Sequence, residues 1–341
     1  MKTPLLDVRD LHIHYDTMRG TMKAVEGISF TLDRGSQLGL IGESGCGKTT
    51  TGRAITRVMP RNGHIASGEV LFNGRDIAKI SEKEMRELRW KDLSMVPQAS
   101  MDSLNPVYRV GKQLVEVLTI RGGMSKRDAR DRSTELFGLV GLSADRLDNY
   151  PHEFSGGMRQ RAVIAMALAL EPDLVIADEP VTALDVIVQN QVLRTFRELQ
   201  ERLSISVIMI THDISVVAET CDRVAVMYAG KIVEIADVGP FFDEPVHPYT
   251  LGLQNAYPNL KKPDLELISI EGYPPDLVNP PQGCRFASRC PFAQERCRVE
   301  EPQLVTVAPG HEAACHRWQE VDLLRSLAGQ AATWQSVVAE G

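Results

Sequence analysis

The stretch Gly42-Glu43-Ser44-Gly45-Cys46-Gly47-Lys48-Thr49 carries the most specific chemistry in the chain. It fits G-x-x-x-x-G-K-[ST], the pattern of a loop that cradles the phosphates of a nucleotide. Phosphate oxygens need many donors at close range, and a loop supplies them by turning successive backbone N–H groups inward. Glycines permit those dihedrals and leave room for the ligand. Lys48 adds a point charge near the β- and γ-phosphates, and the Thr49 hydroxyl can reach Mg²⁺. A helix expected from Lys48 brings its positive dipole end and Thr50 to the same place. Cys46 reads as a small filler within the loop, not a nucleophile.

A second acidic motif answers the first. Leu174-Val175-Ile176-Ala177 is an apolar run that ends in Asp178 and Glu179. A buried strand can deliver two such carboxylates to the sheet edge where the phosphate loop opens. Asp178 would hold Mg²⁺ through water. Glu179 would polarise the attacking water. Two acids at a strand end are ordinarily just solvated; the phosphate loop turns the reading towards ATP hydrolysis.

Alternating strands and helices must position these groups. LLDVRDLHIHY and AVEGISFTL alternate as strands do, and Gln37–Ile41 is a short apolar strand before the loop. Gly68–Phe72 followed by Asn73-Gly74 reads as a strand and a tight turn. From about 81 to 155 the charges and spacing of EKEMRELRW and SKRDARDRSTELFGLVGL predict an inserted helical subdomain. Gly156–Leu170 and Asp185–Leu203 follow as helices, the second with Val188, Val192, Phe196 and Leu199 on one face. Ile205–Ile210 is another buried strand, and Val224–Tyr228 with Ile232–Ile235 flank a hairpin turn at Gly230-Lys231. The pattern predicts an α/β fold with a largely parallel sheet covered on both faces. After about 255, prolines at 258, 263, 274, 275, 280, 281 and 291 mark a loop-rich extension, so the division is 1–255 and 256–341.

The 341 residues suffice for this arrangement, and a net charge of −7 speaks against nucleic-acid binding, which needs clustered positive charge. The N-terminus lacks the apolar region of a signal peptide, and no window is long and apolar enough to span a bilayer. A cytoplasmic location is expected, with any membrane role supplied by partners.

Five further segments, in order, make the chain resemble the ATP-binding-cassette (ABC) family. Phe154-Ser155-Gly156-Gly157-Met158 is similar to that family's L-S-G-G-Q signature, with Phe154 and Met158 departing from it. Val96-Pro97-Gln98 resembles the Q-loop, Thr182-Ala183-Leu184-Asp185 the D-loop, and Ile210-Thr211-His212-Asp213 the switch motif. Tyr15 stands where the family places an aromatic against adenine. The resemblance covers residues 5–255 and implies a P-loop NTPase of RecA-like core, N-terminal β-subdomain and helical insertion. It implies that two cassettes pair head to tail, so that Ser155, Gly156 and Gly157 act on a partner's nucleotide. Gln98 and His212 are implied to reach the metal, the attacking water and the γ-phosphate.

Pro245-Val246-His247-Pro248-Tyr249-Thr250-Leu251 is similar to the His-Pro-Tyr segment of dipeptide and oligopeptide importer ATPases, as is the extension GYPPDLVNPPQGCRFASRCPFAQERC. This resemblance implies an importer subunit on the cytoplasmic side of a bacterial inner membrane. Its implied partners are a second, homologous ATPase in a heterodimer, two transmembrane permeases and an extracytoplasmic peptide-binding protein. Cys284, Cys290, Cys297 and Cys315 crowd into the extension. Four thiolates without a C-x₂-C pair suit an iron–sulfur cluster; zinc and free thiols are the alternatives. The resemblance implies [4Fe–4S]. Arg285, Arg289, Arg296 and Arg298 lie beside these cysteines, where they could lower the thiol pKa values. His311 and His316 read as surface residues or substitute ligands. Rival readings are an importer of nickel chelates, glutathione or oligosaccharides, a cassette ATPase of DNA repair, and a nucleotide-binding subunit that never hydrolyses. The repair reading is disfavoured because only about a hundred residues, with no long heptad run, separate the phosphate loop from the signature.

Overall fold

The structure, a computed structural model, describes residues 3–98, 103–182, 184–256 and 268–335. Strands β1 (Leu6–Thr17) and β2 (Gly20–Leu32) form an antiparallel pair. Val8 and Leu11 are three residues apart yet both buried, which strict alternation forbids. A bulge resolves this: Asp10 takes a left-handed φ of 44°, and the register shifts between Val8 and Leu11. Strand β3 (Gln37–Ile41) and helix α1 (Lys48–Thr56) carry the phosphate loop between them. Strands β4 (Gly63–Phe72) and β5 (Arg75–Asp76) complete a four-stranded sheet ordered β2-β1-β4-β5. Asn73 and Gly74, both at positive φ, make the two-residue turn read from the sequence.

Helix α2 (Glu82–Leu88) starts at a capping box in which Ser81 and Glu84 satisfy each other's backbone donors. Strand β6 (Leu93–Val96) then pairs in parallel with β7 (Leu174–Asp178). The window 81–155 therefore holds a core strand as well as helices. Between the two strands lie α3 (Val110–Ile120), α4 (Lys126–Leu139) and α5 (Gly156–Ala167). The chain continues through α6 (Val186–Leu203), β8 (Ser206–Thr211), α7 (Ile214–Thr220), β9 (Arg223–Tyr228) and β10 (Lys231–Asp237). Ala229 and Gly230 turn the β9–β10 hairpin, both at positive φ.

Short helices α8 (Val238–Asp243), α9 (Pro248–Asn255) and α10 (Glu295–Val299) precede strands β11 (Val305–Ala308) and β12 (His311–Ala313). Helices α11 (Val321–Ala328) and α12 (Ala331–Gln335) follow. The main sheet has eight strands, ordered β11-β12-β10-β9-β3-β8-β7-β6, and is parallel from β9 to β6. The described prolines of the extension lie outside helices and strands, as expected; those at 258 and 263 lie outside the described residues. The extension nonetheless adds two antiparallel strands to the central sheet.

Strands β3, β7 and β8 are buried at every position, which explains their unbroken apolar runs. Alternation divides them between two cores. On β7, Leu174 and Ile176 pack toward the four-stranded sheet with Leu38, Leu40 and Ile210. Val175 and Ala177 pack toward the helices with Val192, Phe196 and Met209. A third core joins Ile41, Val226, Tyr228 and Tyr249 to Phe286, Phe292 and Trp334 of the extension. Among the described residues no helix is long and apolar enough to cross a membrane.

Candidate nucleotide-hydrolysis site

The phosphate loop leaves the end of β3 and runs into the first turn of α1. Its backbone admits no side chain at two glycines. A Cβ on Gly42, at φ +146°, would lie 2.1 Å from the Met227 carbonyl oxygen, and one on Gly47, at φ +108°, would lie 2.8 Å from that of Ala24. Ser44 and Gly45 are exposed at the tip, whereas Cys46 and Gly47 are buried. Lys48 is 5% exposed and folds over its own loop, its Nζ donating to the carbonyls of Gly42 (2.6 Å) and Glu43 (2.9 Å). Burial pushes the Cys46 thiol above its ordinary pKa against the opposing charge of Lys48, so it stays a neutral packing group.

Asp178 ends β7 beside this loop, where its Oδ1 accepts from the Thr49 hydroxyl at 2.9 Å. Its Oδ2 is buried without a hydrogen-bond partner. Burial raises the Asp178 pKa, the Thr49 hydrogen bond opposes that, and the neighbouring Glu179 charge adds to it. A divalent cation would supply the charge and the ligand that this carboxylate lacks.

Glu179 follows in a left-handed conformation, φ 48°, which is costly for a non-glycine residue and turns its side chain out of the strand. Three predicted segments converge on it. Gln98 Nε2 donates to Oε2 at 3.1 Å, the Thr182 hydroxyl donates to the same oxygen at 3.0 Å, and His212 Nδ1 lies 3.1 Å from Oε1. Burial works against ionisation of Glu179, but the hydrogen bonds from His212 and Thr182, with the His212 charge and Gln98, outweigh it and lower the pKa. The group is thus a carboxylate held as a hydrogen-bond acceptor, the state a water-polarising base requires. The sequence points to Gln98 and His212 but not to the Thr182 hydroxyl.

Tyr15, half-buried on β1, places its hydroxyl 3.3 Å from Thr50 Oγ1 on α1, beside the phosphate loop. Ser155 caps α5, its hydroxyl accepting from the Met158 amide at 3.3 Å. Gly156 begins that helix, and Gly157 is pressed against α6, where a Cβ would meet Val188 Cγ1 at 2.2 Å. Ala183 of the expected D-loop and residues 99–102 of the segment after Gln98 lie outside the described residues.

Four cysteines from separate segments of the extension line one small cavity, Cys284, Cys290, Cys297 and Cys315, together with Phe286, Phe292 and Arg317. Burial drives Cys284 up to about 11 and Cys315 up to about 12, and raises Cys290 well above its ordinary value. This corrects the expectation that neighbouring arginines lower these thiols. Arg285 donates to the Ala229 carbonyl, Arg289 to Glu43, and Arg296 to Glu300. Arg317 faces Cys315 and Cys290, and its backbone N–H lies 3.4 Å from Cys315 Sγ; Arg296 feels Cys297 but is hydrogen-bonded to Glu300. His311 is not a surface residue; it is 2% exposed and sits 2.8 Å from the buried Glu234 carboxylate. His316 lines the cysteine cavity, with Nε2 2.9 Å from the Glu300 carbonyl oxygen.

The His-Pro-Tyr segment has a structural logic that its spacing does not reveal. His247 caps α9 with its ring, Nδ1 accepting from the Tyr249 amide at 3.0 Å, and Pro248 occupies the first helical position, where no N–H is needed. Tyr249 is fully buried, and its hydroxyl accepts the Glu43 amide of the phosphate loop at 2.9 Å.

Comparison with known proteins agrees with this geometry. Residues 25–182 match the ABC transporter family, and residues 233–297 match the oligopeptide/dipeptide transporter C-terminal region. The chain is 48% identical to a probable peptide ABC transporter ATP-binding protein of Sinorhizobium fredii, over 93% of this chain and 96% of that protein. It is 47% identical to the dipeptide transport ATP-binding protein DppD of Bacillus subtilis, over 91% of this chain and 94% of that one. Among solved structures, the ATP-binding cassette MJ0796, a dimer bound to ADP and phosphate, superposes with a TM-score of 0.62 at 23% identity, covering 68% of this chain and 98% of that one, which supports the fold. With a hydrolysis site of this form and relatives matched nearly end to end, the chain belongs to the oligopeptide/dipeptide importer family of ABC ATPases.

Proposed function

We propose that this chain is the ATP-hydrolysing subunit of a peptide importer, bound peripherally to the inner face of a bacterial membrane. The observation that carries the reading is the convergence of Gln98, Thr182 and His212 on Glu179 beside the phosphate loop. Such a cluster serves hydrolysis and has no use in a merely nucleotide-holding subunit. Lys48 and the loop amides bind the phosphates, and Tyr15 backs the base. Thr49 and Asp178 would hold Mg²⁺, which neutralises phosphate charge when bound; the unpartnered Asp178 oxygen suits it. Glu179 orients and polarises water, Gln98 and His212 fix its carboxylate, and His212 can contact the γ-phosphate. Glu179→Gln should retain ATP and lose turnover by at least about a hundred-fold; unchanged turnover would overturn the reading.

The signature serine and glycines head helix α5, where the Ser155 hydroxyl and the helix N-terminus could meet the phosphates of a second cassette's nucleotide, in a heterodimer. An apolar groove beside the Q-loop, lined by Val58, Trp90, Met95 and Pro97, together with exposed Val107 and Tyr108, offers a seat for the permease subunits. Peptides as cargo follow from the relatives' names, and an importer of this kind would receive them from an extracytoplasmic binding protein. Substitutions in 103–108 should uncouple transport while sparing basal ATPase activity.

We read the four cysteines as ligands of an iron–sulfur cluster ahead of zinc. A tetrahedral zinc site, with Zn–S bonds of about 2.3 Å, needs thiolates about 3.8 Å apart. Among the described residues no three cysteine sulfurs lie within 4.8 Å of one another. The four cysteines would hold such a cluster as thiolates, and backbone N–H groups of Gln294 and Arg317 point at two of the sulfurs. The role is structural. Anaerobically purified protein should contain iron and a broad visible absorbance, and Cys290→Ser should lose both; stoichiometric zinc would refute the assignment.

A further inference from the structure

The second residue of the phosphate loop is held from outside the loop by two groups that the hydrolytic chemistry does not use. Glu43 receives a fork from Arg289, with Nη1 2.8 Å from Oε2 and Nη2 3.0 Å from Oε1. The remaining N–H groups of Arg289 go to the carbonyls of Glu271 (2.9 Å) and Ile270 (3.0 Å) and to the Tyr228 hydroxyl (3.2 Å). All five guanidinium donors are thereby used, on a side chain 6% exposed. The Glu43 amide donates to the Tyr249 hydroxyl, and the Glu43 carbonyl accepts from Lys48. Tyr249 is itself fixed against Tyr228 and Phe286, ring centroids 4.7 and 5.4 Å away.

Every polar group of Glu43 therefore has a defined partner, and one of them is the lysine that must meet the phosphates. Arg289 directly precedes Cys290, so the fork ties the four-cysteine segment to a residue far away in sequence. A buried bidentate pair is directional, and an ammonium group cannot reproduce it.

We propose that Arg289 and Tyr249 are positioning residues of the phosphate loop, so that the order of the four-cysteine segment sets part of the affinity for ATP. Linkage then requires the converse: nucleotide on the loop orders that segment by the same factor. The inference concerns hydrogen bonds on this chain and does not depend on what the cysteines hold. It rests on the loop binding ATP, which the wild-type titration tests separately.

The test uses the full-length protein. Binding of the fluorescent analogue TNP-ATP is titrated for wild type, Arg289→Ala, Arg289→Lys, Glu43→Gln and the Arg289→Ala/Glu43→Gln pair. Amide exchange across 284–297 is followed with and without a non-hydrolysable ATP analogue. Arg289→Ala should weaken binding roughly ten-fold, Arg289→Lys should recover only part of it, and the double variant should bind about as well as either single one. The analogue should slow exchange across 284–297 in wild type and not in Arg289→Ala. A lower melting temperature with unchanged affinity and unchanged protection would overturn the proposal. Should Arg289→Ala not fold, Tyr249→Phe keeps the ring and removes the acceptor; a several-fold loss of affinity is then expected, and wild-type affinity would overturn the proposal.

Discussion

Lowering the pH from 7 towards 4 should destabilise this protein through His247 in particular. The imidazole is 1% exposed, and its Nδ1 must stay unprotonated to accept the Tyr249 amide. Burial lowers its pKa from 6.5 to about 4, against an opposing pull from the Glu234 charge. The unfolded chain takes up this proton near its ordinary pKa, while the folded chain resists until about 4. Between these values the unfolded state binds one more proton, so stability falls as the pH falls. Each pH step of one across that window costs about 1.4 kcal/mol, so the effect is absent above about pH 7, about 2 kcal/mol at pH 5 and about 3 kcal/mol near pH 4. Carboxylates also titrate in this range, so the measurement is a difference. His247→Asn retains an oxygen that can cap the helix but does not titrate. Urea unfolding of both proteins, followed by tryptophan fluorescence at half-unit steps of pH, gives the difference in unfolding free energy. The wild-type curve should fall below the variant's with a slope approaching one proton. Parallel curves would refute the claim that a neutral His247 caps this helix.

Gly42→Ala should abolish ATP retention and cost at least about 2 kcal/mol of stability, because its Cβ would collide with the Met227 carbonyl; retention of bound nucleotide through gel filtration is the check. Ser155→Ala should cost about 1 kcal/mol as a lost helix cap while leaving ATP affinity of the isolated chain intact. Turnover of the assembled transporter should fall with it; full turnover would confine Ser155 to capping.

What can be read from sequence is what lies contiguous in it. The phosphate loop, the strand ending at Asp178 and the Asn73-Gly74 turn each announce themselves within a dozen residues and sit where expected, while the β9–β10 turn falls one residue earlier than read, at Ala229-Gly230, because Lys231 already pairs with Tyr228. Strand β6 escapes because four residues, Leu93–Val96, follow a charged helix too closely to show a period of two. Strands β11 and β12 escape for the same reason, being four and three residues long in a proline-rich setting. The arginines mislead because adjacency in the chain is not adjacency in space: Arg289 adjoins Cys290 yet serves Glu43, while Arg317 serves the thiols. The burial of His311 depends on Glu234, 77 residues earlier, which no local pattern discloses.

Because β12 lies along β10, the appendage is stitched into the same hydrogen-bonded ribbon that leads, through β9, to the nucleotide-bearing strand. Cutting the chain after α9 would not release a clean cassette. It would expose the outer edge of β10, leaving unpaired amides and carbonyls beside Val233 and Ile235, an invitation to self-association. Loss of the tail should therefore be felt first as insolubility rather than as slower hydrolysis.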